Sequence, residues 1–216
     1  MASWIAPQLR RPTSGFTGWV VKRMLQSKNG FIELNAVRLC RLEKHHRVLE
    51  VGFGLGIGIK KAAEIIEAGS GKVHGIDFSP EMMRAASTRV EAEVIDGKVE
   101  LVLGDAACLP YRDNTMDRIF HCNCYYFWPD VNKVCLKLHR VLKDGGIMVT
   151  CLSLDRMQDI DSRGYLQCAI SWDPNIYIDA LKKTGFVNVE MKDEYCDKTK
   201  QAFQAIYAYK PCINES

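Results

Sequence analysis

From residue 47 onward, short apolar runs alternate with amphipathic stretches. The runs Arg47–Val51, Lys72–Ile76, Val99–Leu103, Arg118–Cys122 and Ile147–Leu152 are rich in Val, Ile and Leu and are bounded by Gly or Asp. Runs of that length and composition predict strands buried on both faces. Between them apolar positions recur at helical spacing, as at Ile57, Ile59, Ala62, Ala63, Ile65 and Ile66, with Gly69-Ser70-Gly71 read as a helix C-cap. Ser79-Pro80 supplies an N-cap and a first-turn proline for a helix running to about Glu93. Asp130 to Leu142 reads as a third helix, and Asp173-Pro174 opens a fourth that ends at Thr184-Gly185. Residues 153–172 show little periodicity, and Phe186–Met191 and Phe203–Tyr209 read as two strands joined by a polar loop. Alternating strand and helix argues for a parallel α/β sheet with helices on both faces.

The chain ahead of residue 47 is different. Residues 1–14 carry Pro7 and Pro12 without periodicity and read as a mobile arm. Gly15 to Trp19 leads into a short amphipathic stretch ending at Ser27, Asn29-Gly30 breaks it, and a second helix is expected from about Phe31 to Leu42.

Composition narrows the class. A chain of 216 residues, 47% hydrophobic and 25% charged, suits one ordinary globular domain. No run approaches the ~20 apolar residues of a membrane span. The start has Arg10-Arg11 but no apolar segment after it, so no secretory signal is expected. Nine cysteines, several inside apolar runs and none in a C-x-x-C pair, argue against a zinc ribbon or a thioredoxin site. No metal is expected, and a reducing intracellular compartment, the cytoplasm, is. The net charge of +3 hides an asymmetry, because residues 1–47 hold nine Lys/Arg against two Asp/Glu. Such a segment can attract an anionic substrate or RNA, although its charges are scattered as on a solvated helix.

The candidate chemistry centres on residues 47–58, where a strand ends in Gly52, Gly54, Gly56 and Gly58 and a helix follows at once. Glycines there let the backbone take positive φ and lie against a ligand, and the helix start offers free N–H groups. The dinucleotide fingerprint G-x-G-x-x-G fails, since it needs glycine at 57 or 59 and finds Ile57 and Ile59. An acid, Glu50, precedes the glycines and calls for a cationic partner at the end of an apolar strand. Asp77 closes the next strand, where a carboxylate can accept both hydroxyls of a ribose. Asp105 and Asn123 close two more, and open α/β sheets bind ligands at such carboxyl ends.

This pattern resembles motif I of the class I S-adenosylmethionine-dependent methyltransferases. Four further stretches agree with it in order across about residues 47–150, and the resemblance extends to the C-terminus. The nearest flavour is the small-molecule branch that includes the ubiquinone and menaquinone biosynthesis methyltransferases. The resemblance implies a Rossmann-like seven-stranded, mostly parallel sheet of order 3-2-1-4-5-7-6, with strand 7 antiparallel. It implies residues 47–216 as the catalytic domain and residues 1–46 as an arm and helices capping the site. It implies S-adenosylmethionine as cofactor. Glu50 is then expected at its ammonium, with Gly52, Phe53, Gly54 and Gly56 along its length. Asp77 is expected at its ribose, Phe78 and Met82 beside the adenine, and Asp105 with the Ala106 N–H on the adenine edge. Asn123 and Tyr125 are expected near the methionine portion. Phe16, Trp19, Tyr126 and Trp128 are candidates for the acceptor pocket, with core packing an equal reading for the first two. Lys143-Asp144-Gly145-Gly146 matches the family's Lys-Pro-Gly-Gly turn except at Asp144. Asp117 is structural in the family pattern.

The implied function is in-line methyl transfer to a small molecule. No catalytic residue is assigned. His121, Tyr125 and Tyr126 are the possible bases, His121 also reading as a core histidine. Only about 20 residues separate strand 5 from the last helix, too few for a substrate domain, which disfavours a large protein acceptor. Nucleic acid is disfavoured as a partner, and a monomer or homodimer is expected. The rival readings are a cofactor-binding regulator without catalysis and an RNA methyltransferase using the basic N-terminal segment.

Overall fold

In the computed structural model, residues 7, 8, 11, 13 and 30–212 are described, so Phe16 and Trp19 lie outside the described residues. Residues 30–39 are helical and are labelled α1. It is followed by β1 (Arg47–Val51), α2 (Ile57–Ile66), β2 (Lys72–Asp77), α3 (Pro80–Arg89), α4 (Glu91–Ile95) and β3 (Val99–Leu103). Then come β4 (Met116–Cys122), α5 (Val131–Val141), β5 (Leu142–Leu152), α6 (Leu154–Ser162), α7 (Pro174–Lys183), β6 (Val187–Cys196) and β7 (Gln201–Tyr209). The strands form one sheet of order β3-β2-β1-β4-β5-β7-β6, with β7 antiparallel to both neighbours and the inner pairs parallel.

Period-two alternation sorts the strand residues onto two buried faces. Leu49, Val51, Ile119 and Met148 pack against α5 and α7 residues such as Leu138 and Tyr177. Val48, Phe120 and Val149 pack on the other face with Ile32, Val37, Ile59 and Met82 from α1, α2 and α3. The helix starts follow from local chemistry. Ser79 accepts from the Met82 N–H with Pro80 in the first turn, Asp130 accepts from Lys133 N–H, and Asp173 accepts from Asn175 N–H.

Four expectations need correction. The helix expected to reach Glu93 breaks at Val90, where φ −116° and ψ 28° leave the helical region, into α3 and α4. Gly69 and Gly71 are not a left-handed cap, since neither has positive φ. They let the chain cross residues 44–46 closely: a Cβ on Gly69 would overlap the Lys44 carbonyl. Lys143 to Gly146 is not a free turn but an irregular start to β5, and the β4–β5 register jumps from Met116↔Leu142 to Arg118↔Ile147. Gly145, at φ 72°, donates its N–H to Lys210 O, which carries the irregularity across to the C-terminal strand. Finally, residues 153–172 are not irregular throughout, because α6 occupies their first half.

Gly69→Ala is expected to cost about 1–3 kcal/mol, as overpacking against fixed backbone does. The exposed neighbour Ser70 serves as control: Ser70→Ala should stay within about 0.5 kcal/mol of wild type. Urea titration reads both as shifts of midpoint at constant slope, and equal midpoints for the two variants would refute the close-approach reading.

Candidate functional site

The site begins where β1 turns into α2. Gly52, Gly54 and Gly56 have φ of 71°, 51° and 75°, a region that residues with a Cβ enter only at a cost. The reason for glycine differs at each. A Cβ on Gly52 would sit 3.2 Å from that of Cys124, and one on Gly56 would sit 3.0 Å from that of Ala86. A Cβ on Gly54 would meet no protein atom within 4 Å, because that glycine faces open space. Asp77, at the tip of β2, holds the turn. Its Oδ2 accepts from the Gly54 N–H at 2.9 Å and its Oδ1 from the Ser79 N–H at 2.8 Å.

That space is a crevice across the carboxyl ends of the inner strands. Its walls are formed by Gly52, Gly54, Asp77, Phe78, Met82, Asp105 and Ala106 on the β1–β3 side. Cys122 to Cys124 and Tyr126 to Pro129 follow β4, and Ser153, Arg156, Met157, Ile160 and Leu166 follow β5. It therefore straddles the boundary between β1 and β4, where the strand order reverses.

Most of the expected cofactor residues meet here: Gly52, Gly54, Asp77, Phe78, Met82, Asp105, Ala106 and Asn123, with Tyr126 and Trp128 from the expected acceptor set. Asp105 also caps the short 3-10 turn Ala106–Cys108 by accepting from the Ala107 N–H at 2.8 Å. Asn123 takes φ 50°, a left-handed conformation that asparagine tolerates, and so turns the chain out of β4 along the crevice.

Four expected residues stand back from it. Phe53 is fully buried in the α1–α3 core. Gly56 is the N-cap of α2 and packs on α3. Tyr125 turns away: its ring stacks on Tyr177 with centroids 4.7 Å apart, and its hydroxyl donates to Trp172 O at 2.6 Å. Tyr125 and Tyr126 are neighbours in one 3-10 turn, which sends one ring inward and the other toward the crevice. Glu50 is 1% exposed and lies beneath α2, where a Cβ on Gly58 would stand 2.6 and 2.7 Å from its two oxygens. His121 is a core residue. Its Nε2 pairs with Tyr177 Oη at 2.7 Å and Thr150 Oγ1 at 2.8 Å, and burial lowers its pKa to about 3. It stays neutral and is no base for a ligand in the crevice.

The sequence reading missed Glu33 and the inner face of α6. Glu33 reaches the crevice from α1, and its Oε2 accepts from the Gly58 N–H at 3.2 Å. Glu33 and Glu50 thus converge on the same glycine. Burial raises the pKa of Glu33 to about 7, opposed by the Gly58 hydrogen bond and by Arg89. Glu50 is pushed well above the carboxylate range, first by burial, then by the charges of Glu33 and Asp77. One Glu50 oxygen, Oε2, has no hydrogen-bond partner among the described residues. Asp77 is raised to about 6 by burial, against its backbone hydrogen bonds. Three acids thus sit where the folded protein alone offers little to balance them, which suits a cationic ligand. On α6, Ser153, Arg156, Met157 and Ile160 face the crevice at spacings of three, one and three. That helical stripe is visible in the sequence, but the surrounding Asp155, Asp159 and Asp161 mask it. Glu43, His45 and His46 have donor atoms within 4.8 Å of one another. His46 Nδ1, however, accepts the Glu43 N–H at 3.0 Å, so its lone pair is already used.

A carboxyl group whose folded pKa is raised makes the folded state take up protons, so stability falls as pH rises through the raised pKa. Glu50→Gln removes that cost. In ligand-free protein it is expected to raise the melting temperature at pH 8, by about 2–4 °C per kcal/mol regained, and to lose the advantage near pH 4. Melts of both proteins across that range test it, and a variant less stable than wild type at pH 8 would contradict it.

Comparison with known proteins agrees with this geometry. Residues 49–150 match the model of the family described as methyltransferase domain. Methyltransferase GfsG of Streptomyces halstedii is 36% identical over 101 residues, which are 47% of this chain and 35% of that protein. Phosphoethanolamine N-methyltransferase 2 of Caenorhabditis elegans is 31% identical over 150 residues, 68% of this chain and 33% of that protein. The chain therefore spans about a third of the length of these curated relatives. Among solved structures, a methyltransferase complexed with the Trm112 activator of Haloferax volcanii superposes with a TM-score of 0.72 at 16% identity. It covers 89% of this chain and 94% of that one. The Haemonchus contortus phosphoethanolamine N-methyltransferase 2, solved with S-adenosyl-L-methionine, gives 0.69 at 19% identity over 96% of this chain and 60% of that one. These names do not single out the quinone branch. Through residues 49–150 the chain belongs to the class I S-adenosylmethionine-dependent methyltransferases.

Proposed function

We propose that this chain transfers a methyl group from S-adenosylmethionine to a small-molecule acceptor. The observation that carries the reading is the crevice at the β1–β4 boundary, with bare backbone at Gly54 and three acids on one side and aromatic walls on the other. The residues present fit the cofactor: the orphaned Glu50 oxygen and the raised proton affinities of Glu33 and Asp77 call for positive charge. When bound, the cofactor supplies an electrophilic methyl carbon on a sulfonium.

The chain's own residues then bind, orient and exclude water. Asp77 has a lone pair left on each oxygen beyond those used by Gly54 and Ser79, and takes the ribose hydroxyls. Phe78 and Met82 flank the adenine, and Asp105 Oδ2 takes its amino group while Oδ1 holds the Ala107 N–H. Glu33, with Glu50 behind it, takes the ammonium end; this moves the first contact from motif I to α1. Tyr126, Phe127 and Trp128 close the far side, where ring faces favour a cation and a flat acceptor alike. Alignment behind the methyl carbon can supply several of the ~7–11 kcal/mol available from orientation. Residues 1–46 are read as the cap, and α1 is the described helix of that segment that reaches the crevice, through Glu33.

Asp77→Ala is expected to weaken S-adenosylmethionine binding at least about 100-fold, roughly 2.7 kcal/mol, in a protein that still unfolds cooperatively. Gly54→Val should do the same. A side chain there meets no protein atom, so its folding cost is confined to backbone strain of about 1–2 kcal/mol. Calorimetric titration tests both, and wild-type affinity in either removes that residue from the site. For the acceptor class, labelled donor is incubated with the protein, a metabolite extract and total RNA. Label is expected in the small-molecule fraction, and label in the RNA would overturn the small-molecule reading.

A further inference from the structure

Two acids from different elements share the first turn of α2. Glu33, on α1, accepts the Gly58 N–H at 3.2 Å, and Glu50, on β1, takes the N–H of the next residue, Ile59. Gly58 lets them converge, since a Cβ there would stand 2.6 and 2.7 Å from the two Glu50 oxygens. Glu50 is 1% exposed, and its Oε2 has no hydrogen-bond partner among the described residues. Of the two acids, Glu33 lines the crevice. What faces the pair does not neutralise it. Asp77, on β2, is a third acid whose charge bears on Glu50. Cys122 on β4, Cys124 beyond it and Cys40 after α1 are near enough to feel the Glu50 charge, but burial holds all three thiols well above their usual range, so they stay neutral. The cation whose charge reaches Glu33 is Arg89, at the end of α3, and its Nε is held by Leu55 O at 2.7 Å. Two like charges this close and out of water do not both persist, so the pair keeps a proton that belongs to both.

We infer that Glu33 and Glu50 hold one proton between them before a ligand binds, and that the ammonium of an amino-acid-bearing ligand replaces it. This rests on the methyltransferase reading of the crevice and adds the regulation of cofactor loading. As the ammonium settles against Glu33, the carboxyl O–H bond breaks. Its electron pair stays on oxygen and the proton leaves to water or buffer. The ligand keeps all the protons of its own ammonium, so one proton is released per molecule bound. Binding coupled to proton release tightens as pH rises. Burial sets the Glu33 carboxyl at about 7, so loading weakens as pH falls below that value. Above about pH 8 an α-amino group begins to lose its own charge, which ends the rise. The pair also selects. A nucleoside without a cationic tail cannot displace the proton and draws nothing from the two acids.

The test compares S-adenosylhomocysteine, which carries the ammonium, with 5′-methylthioadenosine, which has the same adenosine and a thioether but no amino-acid tail. Both bring the ribose to Asp77, so any proton taken from Asp77 is common to the two. Each is titrated into the full chain by calorimetry at pH 6.5 in phosphate and in imidazole buffer, whose different ionisation heats report the protons released. S-adenosylhomocysteine is expected to release about 0.5–1 proton more than 5′-methylthioadenosine. Its affinity relative to 5′-methylthioadenosine should rise about 10-fold between pH 5.5 and pH 7.0. Glu33→Gln should remove both effects and leave 5′-methylthioadenosine binding unchanged. Equal proton release by the two ligands, or an affinity ratio flat with pH, would overturn the inference, and neither reading needs a variant. A Glu33→Gln protein that keeps the wild-type difference would overturn it too. In these outcomes both ligands still bind, and the parent reading stands. Failure of the wild type to bind either ligand would sink the parent reading, and this inference with it.

Discussion

A single buried carboxylate ties together the tips of two neighbouring strands. Asp77 accepts from Gly54 in the turn after β1 and from Ser79 at the start of α3. A buried donor left without an acceptor costs about 1–3 kcal/mol, so removing this carboxylate would take the acceptor from the Gly54 and Ser79 N–H groups. The backbone of all three positive-φ glycines is held: Gly54 donates to Asp77, Gly52 to Ile76 O and Gly56 to Phe53 O, and the space in front of Gly54 stays open. The cradle is thus formed before any ligand arrives.

The same economy has an electrostatic cost. Glu33, Glu50 and Asp77 all have raised proton affinities, with burial the leading cause in each. Repulsion among them adds to it at Glu50. A globular domain of ordinary stability can carry that cost because the surrounding core is well filled, with Val48, Ile59, Phe120 and Val149 fully buried. A ligand that brings positive charge to the β1–β3 half relieves it. The β4–β5 half is lined instead by the rings of Tyr126, Phe127 and Trp128.

The matched segment is shared with relatives of unlike names, among them methyltransferase GfsG and a phosphoethanolamine N-methyltransferase. Sheet order is therefore silent about the acceptor. In the proposed function, the acceptor is read instead by elements appended to the sheet: α6 after β5, the aromatic 3-10 turn after β4, and α1 ahead of β1.

Much of this was legible in the sequence because its signals are short-range. Five apolar runs, the Ser79-Pro80 and Asp173-Pro174 helix starts and the glycines from 52 to 58 act within a few residues of themselves, and each produced the element it predicted. The order of the strands came from the resemblance that those motifs carry, since pairing between distant segments leaves no local trace. Tertiary structure decided which side of an element faces the crevice. It turned Tyr125 into the core and its buried neighbour Tyr126 toward the crevice, hid Glu50 under Gly58 with Phe120 alongside, and brought Glu33 in from a helix that the motif does not include. It also made a helix of 154–162, whose apolar stripe is interrupted by acids and stabilised only when Met157 is buried against the core. A residue's chemistry is written in the chain, but its direction is set by what packs against it, and those partners lie tens of residues away.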